Sequence, residues 1–322
     1  MIWLVGAGDM AAEYAKVLSE QDRKYIVIGR NELSATNFTL KTQKEVILGG
    51  LDKYLETGPE IPSSAIICVS VDKLFTVTSS LISYGVKRIL VEKPAALVES
   101  DIKTLGFMSG KAECYICIAY NRRFYSSVEE LRRRIIEDGG VTSFNFEFTE
   151  WAHVIEKTNK PNEVLNRWFL ANSTHVADLA FHLGGKPSSM SSFVNGSLSW
   201  HSSSSVFAGA GKTDNDVLFT YSANWESAGR WSVEVLTKNA RYILRPMELL
   251  QEQKKGSISI ETLKINDSLD HKFKPGLYRQ VEAFLTDERR NLCDIKQQIL
   301  LFPFYLKMAG YCGADNAKNS FG

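Results

Sequence analysis

Apolar and polar positions follow two different rhythms along the 322 residues. Up to about residue 120, apolar runs of strand length ("MIWLV", "KYIVI", "SAIICVSV", "VKRILV", "ECYICIAY") alternate with stretches of helical period such as "DKLFTVTSSLISYG" and "ESDIKTLGFMSG". Apolar strands separated by helices imply a parallel, doubly wound sheet buried on both faces. From about residue 141 the rhythm becomes period two, in "VTSFNFEFTEW", "SSMSSFVNGSL", "DVLFTYSANW", "RWSVEVLTK", "ARYILRP" and "GSISIETLKI". That pattern predicts a large, open, mainly antiparallel sheet. Helices expected at 126–138, 172–183, 276–289 and 294–312 would cover one of its faces. The fold class is therefore α/β, with residues 1–120 as a first domain and 121–322 as a second, α+β domain.

The uncovered face of the second sheet is expected to carry Phe219, Trp225 and Trp231, because apolar groups occupy both alternations of its strands. Such a face is expected to bury itself against a second copy, giving a homodimer or homotetramer. The connection 152–168 is polar and without period, the pattern of a lid in which His153, Lys157, Lys160 and Arg167 could meet an anionic group, with a solvated loop the favoured alternative for each. "WHSSSSVFAGAG" (200–211) reads as a serine-rich turn, equally a linker or a substrate loop, and "ADNAKNSFG" as a frayed tail.

Composition narrows the class. The chain is 44% hydrophobic and 23% charged, with a formal net charge of +1. No overall field favours nucleic acid or an anionic membrane, and no apolar run is long enough to span one. "MIWLVGAG" lacks the basic start of a secretory signal. Five scattered cysteines, Cys68, Cys114, Cys117, Cys293 and Cys312, suit a reducing cytoplasm. Cys114 and Cys117 form a C-x-x-C, but within a strand they face opposite sides and read as apolar filler.

The candidate chemistry begins at residue 6. Gly6-Ala7-Gly8-Asp9-Met10-Ala11 is a G-x-G-x-x-A turn between strand and helix, the phosphate-binding fingerprint of a Rossmann sheet. Gly6 permits the turn, Gly8 leaves room for a pyrophosphate, Ala11 allows close packing, and the helix start offers free N–H groups. The next strand ends at Arg30, where an acid would hold an NAD ribose. Arg30 instead suits a 2′-phosphate, which favours NADP; the alternative is a solvated arginine with Glu32 on the ribose and NAD as cofactor. Ligands of such sheets bind beyond the strand C-termini, where Ser70, Val71, Glu92, Lys93, Pro94, Tyr120, Asn121 and Arg122 fall. Beside a nicotinamide, Lys93 of "EKP" is a candidate for orienting a substrate oxygen. In "NSTHVADLAFH", His175, Asp178 and His182 fall along one helix line. A solvated polar face, a metal triad and a catalytic site are the three readings, the metal being the least favoured.

In this order and spacing "GAGDMA", "EKP", "YNRRF" and "HVADLAFHLGG" resemble the glucose-fructose oxidoreductase / inositol dehydrogenase / rhizopine catabolism family of NAD(P)-dependent dehydrogenases, over essentially the whole chain. The resemblance implies that His175, opening an H-x-x-D pattern with Asp178, exchanges a proton with the reacting hydroxyl, and that Lys93 is the family's EKP lysine. Many members carry an Asp four residues before that His and a Gly two before it; here Ala171 and Ser173 stand there, with Asn172 between. Asn172, Asp178, Tyr120, Asn121, Arg122 and Arg167 are then expected around the substrate, and Gly6 to Ala11, Arg30, Ser70, Val71, Glu92 and Lys93 around the cofactor. The sequence is also similar to the branch that serves surface-polysaccharide and nucleotide-sugar pathways. The reading is thus a cytoplasmic oxidoreductase acting on a secondary alcohol or ketone of a sugar or nucleotide sugar, without metal. A non-catalytic dinucleotide-binding sensor on the same fold is the alternative.

Overall fold

The computed structural model describes residues 1–311; Cys312 and the tail "ADNAKNSFG" lie outside them. The chain forms two compact units. One joins Met1–Phe124 with Ser268–Leu300, the other Tyr125–Asp267 with the described residues from Leu301 on.

In the first unit β1 (Ile2–Val5), β2 (Tyr25–Ile28), β3 (Ser64–Ile67), β4 (Arg88–Val91) and β5 (Tyr115–Ile118) are parallel, in the order β5-β4-β3-β1-β2. The order reverses about β1, which is where an open parallel sheet leaves a crevice beyond its strand ends. The crossovers are α1 (Asp9–Glu20), α2 (Glu32–Thr42), α3 (Gly50–Glu56), α4 (Leu74–Tyr84) and α5 (Glu99–Ala112). β1 shows why both faces must be covered. Ile2 and Leu4 share a core with Ala11, Tyr14 and Leu18 of α1. Trp3 turns to the other face, 5.2 Å from the Tyr54 ring of α3 and 5.9 Å from the Tyr84 ring of α4. The doubly wound first sheet is the one the apolar runs predict.

The second unit opens with α6 (Ser126–Glu137) and builds an eight-stranded sheet from β6 (Ser143–Glu147), β7 (Pro187–Asn195), β8 (Val206–Thr213), β9 (Leu218–Asn224), β10 (Ser232–Leu236), β11 (Ala240–Leu244), β12 (Gln251–Lys254) and β13 (Glu261–Thr262). The order is β13-β12-β11-β10-β6-β9-β8-β7, antiparallel except for the parallel β6–β9 pair. Between β6 and β7 lie α7 (Ala152–Ile155), α8 (Asn162–Leu165) and α9 (Thr174–Gly184). Phe181 of α9 packs 6.3, 5.7 and 5.2 Å from the rings of Phe144, Phe146 and Phe219. Gly184 lets α9 approach that closely, since a Cβ there would stand 2.2 Å from the Phe144 ring.

Four expectations about this unit change. Phe219, Trp225 and Trp231 are 2%, 2% and 6% exposed, so they belong to the buried side and not the open face. In β9 the parity is strict: Phe219, Tyr221 and Ala223 point inward, leaving Leu218, Thr220 and Ser222 outside. Residues 206–211, read as part of a turn, form an inner strand, because Gly209 and Gly211 make room for rings of β9. A Cβ at those positions would stand 2.3 Å from Tyr221 and 2.7 Å from Phe219. "GSISIETLKI" pairs only at Glu261–Thr262, with Ile258 95% exposed, and its partner β12 is the polar "QEQK" that hydrophobic alternation passes over. The 152–168 connection also contains two short helices, α7 and α8.

The chain then returns to the first unit through α10 (Ser268–Lys272), α11 (Leu277–Thr286) and a short Cys293–Asp294 strand antiparallel to β5. α11 was expected over the second sheet. Instead Leu277, Val281 and Phe284 join the Ala11–Tyr14 core, because an amphipathic face states that something covers it and not which sheet. α12 (Ile295–Met308) carries the division between the units, at Leu300–Leu301. Cys68, Cys114 and Cys117 are buried free thiols, and Cys293 is buried.

Candidate active site

The glycine turn leaves β1 at Gly6, whose φ of +127° brings the backbone so close to β3 that a Cβ would stand 2.6 Å from the Cys68 carbonyl oxygen. Only glycine satisfies both conditions. Gly8 is the opposite case: a Cβ there would meet nothing within 4 Å, so the backbone faces open space at the start of α1. The turn walls a cleft of about 360 Å³ together with Arg30, Asn31, Ser34, Asp52, Ser70 and Lys73. Exposed N–H groups at a helix start, a bare glycine surface and cationic side chains suit the pyrophosphate and ribose of a dinucleotide. Ala7 lines the same cleft, and Ala11 is fully buried beneath it. Asp9 turns its carboxylate outward to Lys41 at 2.5 Å, and this hydrogen bond lowers its pKa. Glu32 is not on the cleft wall, whereas Asp52 is, an acid that the strand-end rule does not reach. Val71 opens the short turn Val71–Lys73 beside Ser70. Met10 stands in α1, packed on the core.

The Glu92-Lys93-Pro94 segment follows β4 and is tied on both sides of the lysine. Tyr14 of α1 donates a 2.7 Å hydrogen bond to Glu92 Oε1, and Gln298 of α12 donates one of 3.1 Å to the Pro94 carbonyl. Burial raises the pKa of Glu92, against the opposing pull of Tyr14, Lys93 and Lys274. Burial also pushes the Tyr14 hydroxyl and the Cys68 thiol well above their ordinary ranges, so neither ionises near neutral pH. Lys93 is half-buried. Tyr120 and Asn121, which follow β5, are buried, and the Asn121 amide donates to the Pro275 carbonyl at 2.9 Å, while Arg122 is half-buried.

In the second unit α9 is preceded by one π-helical turn, Phe169–Ser173. Such turns are uncommon and frequent at functional sites. His175 is 7% exposed and Asp178 only 1%. Except for half-buried His182, α9 is buried on every side, so its polar line is not the solvated face of a surface helix. The His175 ring lies 6.2 Å from the Trp231 ring. The π-turn is clamped by a residue that motif reading missed, Glu150, just past β6 and 2% exposed. Its Oε1 accepts from the Asn172 amide at 2.9 Å and from the Ser173 hydroxyl at 2.8 Å, and its Oε2 pairs with Arg230 at 3.3 Å. The signal available in sequence was a lone acid after a strand, "FTEW", too common to single out. Arg167 places its guanidinium 4.7 Å from the centre of the Tyr311 ring. Among the described residues no three His, Cys, Asp or Glu side chains are grouped as a metal site, the His175–Asp178–His182 line included. No described helix is long and apolar enough to cross a membrane.

No family model matches the chain, and comparison with curated proteins returns no match. Solved structures do match. UDP-N-acetylglucosamine 3-dehydrogenase GnnA from Acidithiobacillus ferrooxidans has a TM-score of 0.73 and 14% identity over 95% of each chain. An oxidoreductase from Agrobacterium radiobacter, in complex with NAD+, L-tartaric acid and magnesium, has a TM-score of 0.77 and 12% identity over 99% of this chain and 96% of that one. Levoglucosan dehydrogenase, in complex with NADH, has 0.74 and 14% over 96% of each. At such identity the likeness is one of fold: a Rossmann sheet followed by a large, mostly antiparallel one.

Proposed function

We propose that this chain is an NAD(P)-dependent oxidoreductase of the glucose-fructose oxidoreductase / inositol dehydrogenase / rhizopine catabolism family, acting on a secondary alcohol or ketone of a sugar or nucleotide sugar. The first unit is assigned to the dinucleotide and the second to the substrate. The observation that carries the reading is the burial of His175 and Asp178, one helical turn apart, in a chain whose first turn is a bare glycine cradle. Burying an imidazole and a carboxylate costs stability, and such groups cluster at functional sites.

Gly6, Ala7 and Gly8 would hold the pyrophosphate with the start of α1, and Arg30 with Ser34 the ribose end, where a 2′-phosphate makes NADP the preferred cofactor. The bound nicotinamide supplies or accepts hydride. His175 exchanges the hydroxyl proton, since imidazole titrates near neutral pH. Lys93, as the EKP lysine, is assigned to orienting a substrate oxygen, where its ammonium would favour the alkoxide. The likeness to a UDP-N-acetylglucosamine dehydrogenase and to levoglucosan dehydrogenase supports a sugar substrate, and a nucleotide sugar of surface-polysaccharide synthesis is the favoured class. Buried free thiols at Cys68, Cys114 and Cys117 fit a reducing cytoplasm. The outward face of the second sheet is assigned to self-association.

The deciding experiment follows nicotinamide absorbance over a panel of nucleotide sugars with wild type, His175→Ala, Lys93→Ala and the double variant. His175→Ala should leave dinucleotide affinity intact and slow turnover by roughly 10²–10⁴, and Lys93→Ala should act on the same step. The double variant should lose much less than the product of the two, because both groups serve one step. Dinucleotide binding without turnover in every form would instead make the chain a sensor.

A further inference from the structure

The guanidinium of Arg230 stands 4.7 Å from the centre of the Trp231 ring and 4.9 Å from that of Trp151. Trp151 is itself fixed by a 3.1 Å hydrogen bond from its Nε1 to the Gly229 carbonyl. Among the described residues the one carboxylate within ion-pair distance of Arg230 is Glu150, through a single contact of 3.3 Å, and 46% of the arginine side chain remains exposed. An arginine needed only to neutralise Glu150 would gain most from a short, bidentate, buried pair. This one packs against two indole rings instead, and its side chain, with five N–H donors, stays nearly half exposed.

Glu150 cannot meet a ligand alongside it. The carboxylate is 2% exposed and already accepts from Asn172 and Ser173. What the cluster offers to solvent is therefore a donor-only cation and the half-exposed Trp151 ring. Its natural complement is acceptor-rich and negative, matched to a planar fork: a carboxylate or a phosphate. Stacking on indoles restricts the guanidinium before any ligand arrives, so less freedom is lost on capture. Trp231 is also the ring that lies 6.2 Å from His175, so one indole separates the arginine from the proposed proton-transfer residue.

We infer that Arg230 receives an anionic substituent of the substrate, the carboxylate of a uronic acid or the phosphate of a sugar nucleotide. This inference rests on the oxidoreductase reading for its meaning but not for its test, which contains no nicotinamide. Trp151 and Trp231 flank the arginine and serve as fluorescent reporters. The full chain is titrated with two matched pairs, glucuronate against glucose and uridine diphosphate against uridine. In the wild type the charged member of at least one pair should bind about tenfold or more tighter than its neutral partner, the scale of a charge-assisted hydrogen bond. Arg230→Gln should abolish that preference, and Arg230→Lys, which keeps the charge and loses the fork, should weaken it. A preference in the first pair alone assigns a uronate, and in the second alone a nucleotide. Equal binding of both pairs in the wild type, or a preference that survives undiminished in Arg230→Gln with unchanged circular dichroism, overturns the proposal. Failure of turnover with intact anion binding would count against the oxidoreductase reading alone.

Discussion

Tyr14 Oη and Glu92 Oε1 are 2.7 Å apart, which ties the helix that follows the glycine turn to the residue before Lys93. Neither group is suited to be a reactant, because burial keeps the phenol protonated and the carboxyl reluctant to ionise. The pair's value is positional. With the Gln298 bond to the Pro94 carbonyl, it fixes the backbone on both sides of the lysine.

Tyr14→Phe should therefore destabilise the protein by about 1–3 kcal/mol at neutral pH, since it leaves a buried carboxylate short of a donor. The pH sign follows from the raised pKa of Glu92. The fold disfavours its charged form, so its contribution is fully present below the ordinary value of 4.5 and is lost as pH rises through the higher folded value. Losing the phenol raises that value further. Urea unfolding at pH 7 and near pH 4.5 should show the larger loss at pH 7. An equal loss at both would mean that Glu92 is not the group Tyr14 serves.

Cofactor choice is decided on one wall of the nucleotide cleft. Arg30 and Ser34 stand there, and so does Asp52, brought in at the start of α3. If Arg30 meets a 2′-phosphate, NADPH should bind about tenfold or more tighter than NADH, and Arg30→Ala should bring the two together. Fluorescence titration measures both. Equal wild-type affinities would move the ribose contact to Asp52 and the preference to NAD.

The glycine turn, the alternation of strands and helices, and the polar line on α9 were legible because each is local: φ at Gly6, period two or 3.6, one helix face. What sequence left out is what arises when distant segments meet. Glu150 and Arg230 are separated along the chain, and neither stands out until Asn172 and Ser173 close on one and two indoles on the other. Strand β8 was lost because its glycines and alanines carry no hydrophobic signal, although that smallness is what lets Tyr221 and Phe219 lie across it. α11 showed its apolar face but not the sheet it would join.

His201 is fully buried and bonded at both nitrogens, at 2.7 Å to the Ser204 carbonyl and 2.7 Å to the Tyr311 hydroxyl. A carbonyl can only accept, so Nδ1 carries the proton and Nε2 accepts from Tyr311. Protonating Nε2 would reverse that bond and deprive the Tyr311 hydroxyl proton of its acceptor, and burial already holds the pKa below 6.5. With a depressed folded pKa, the stability this group contributes is full above 6.5 and declines as pH falls through the lower folded value, by at most about 1.4 kcal/mol per pH unit. Thermal unfolding followed from pH 7.5 down to 5 should show this slope in the wild type and a shallower one in His201→Gln. Parallel curves would remove His201 as the cause.

The last expectation concerns the outward face of the second sheet, whose composition differs from the sequence reading. Register places Phe193, Ala208, Ser222 and Glu147 in one outward row, and Ser191, Ala210, Thr220 and Asn145 in the next. Small side chains fill much of both rows, while Phe193 and Leu218 stand 70% and 64% exposed. A surface of short residues lets a second sheet approach closely, and the two large apolar groups gain about 25 cal/mol per Å² that such an approach covers. A two-fold pairing would place the same rows against each other and cover both groups at once. Light scattering at micromolar concentration should therefore give a dimer or a tetramer, and Phe193→Lys with Leu218→Lys should shift it to monomer without lowering dinucleotide affinity. A wild-type monomer would show that this face is stable in water, with its two apolar groups tolerated as isolated exposures.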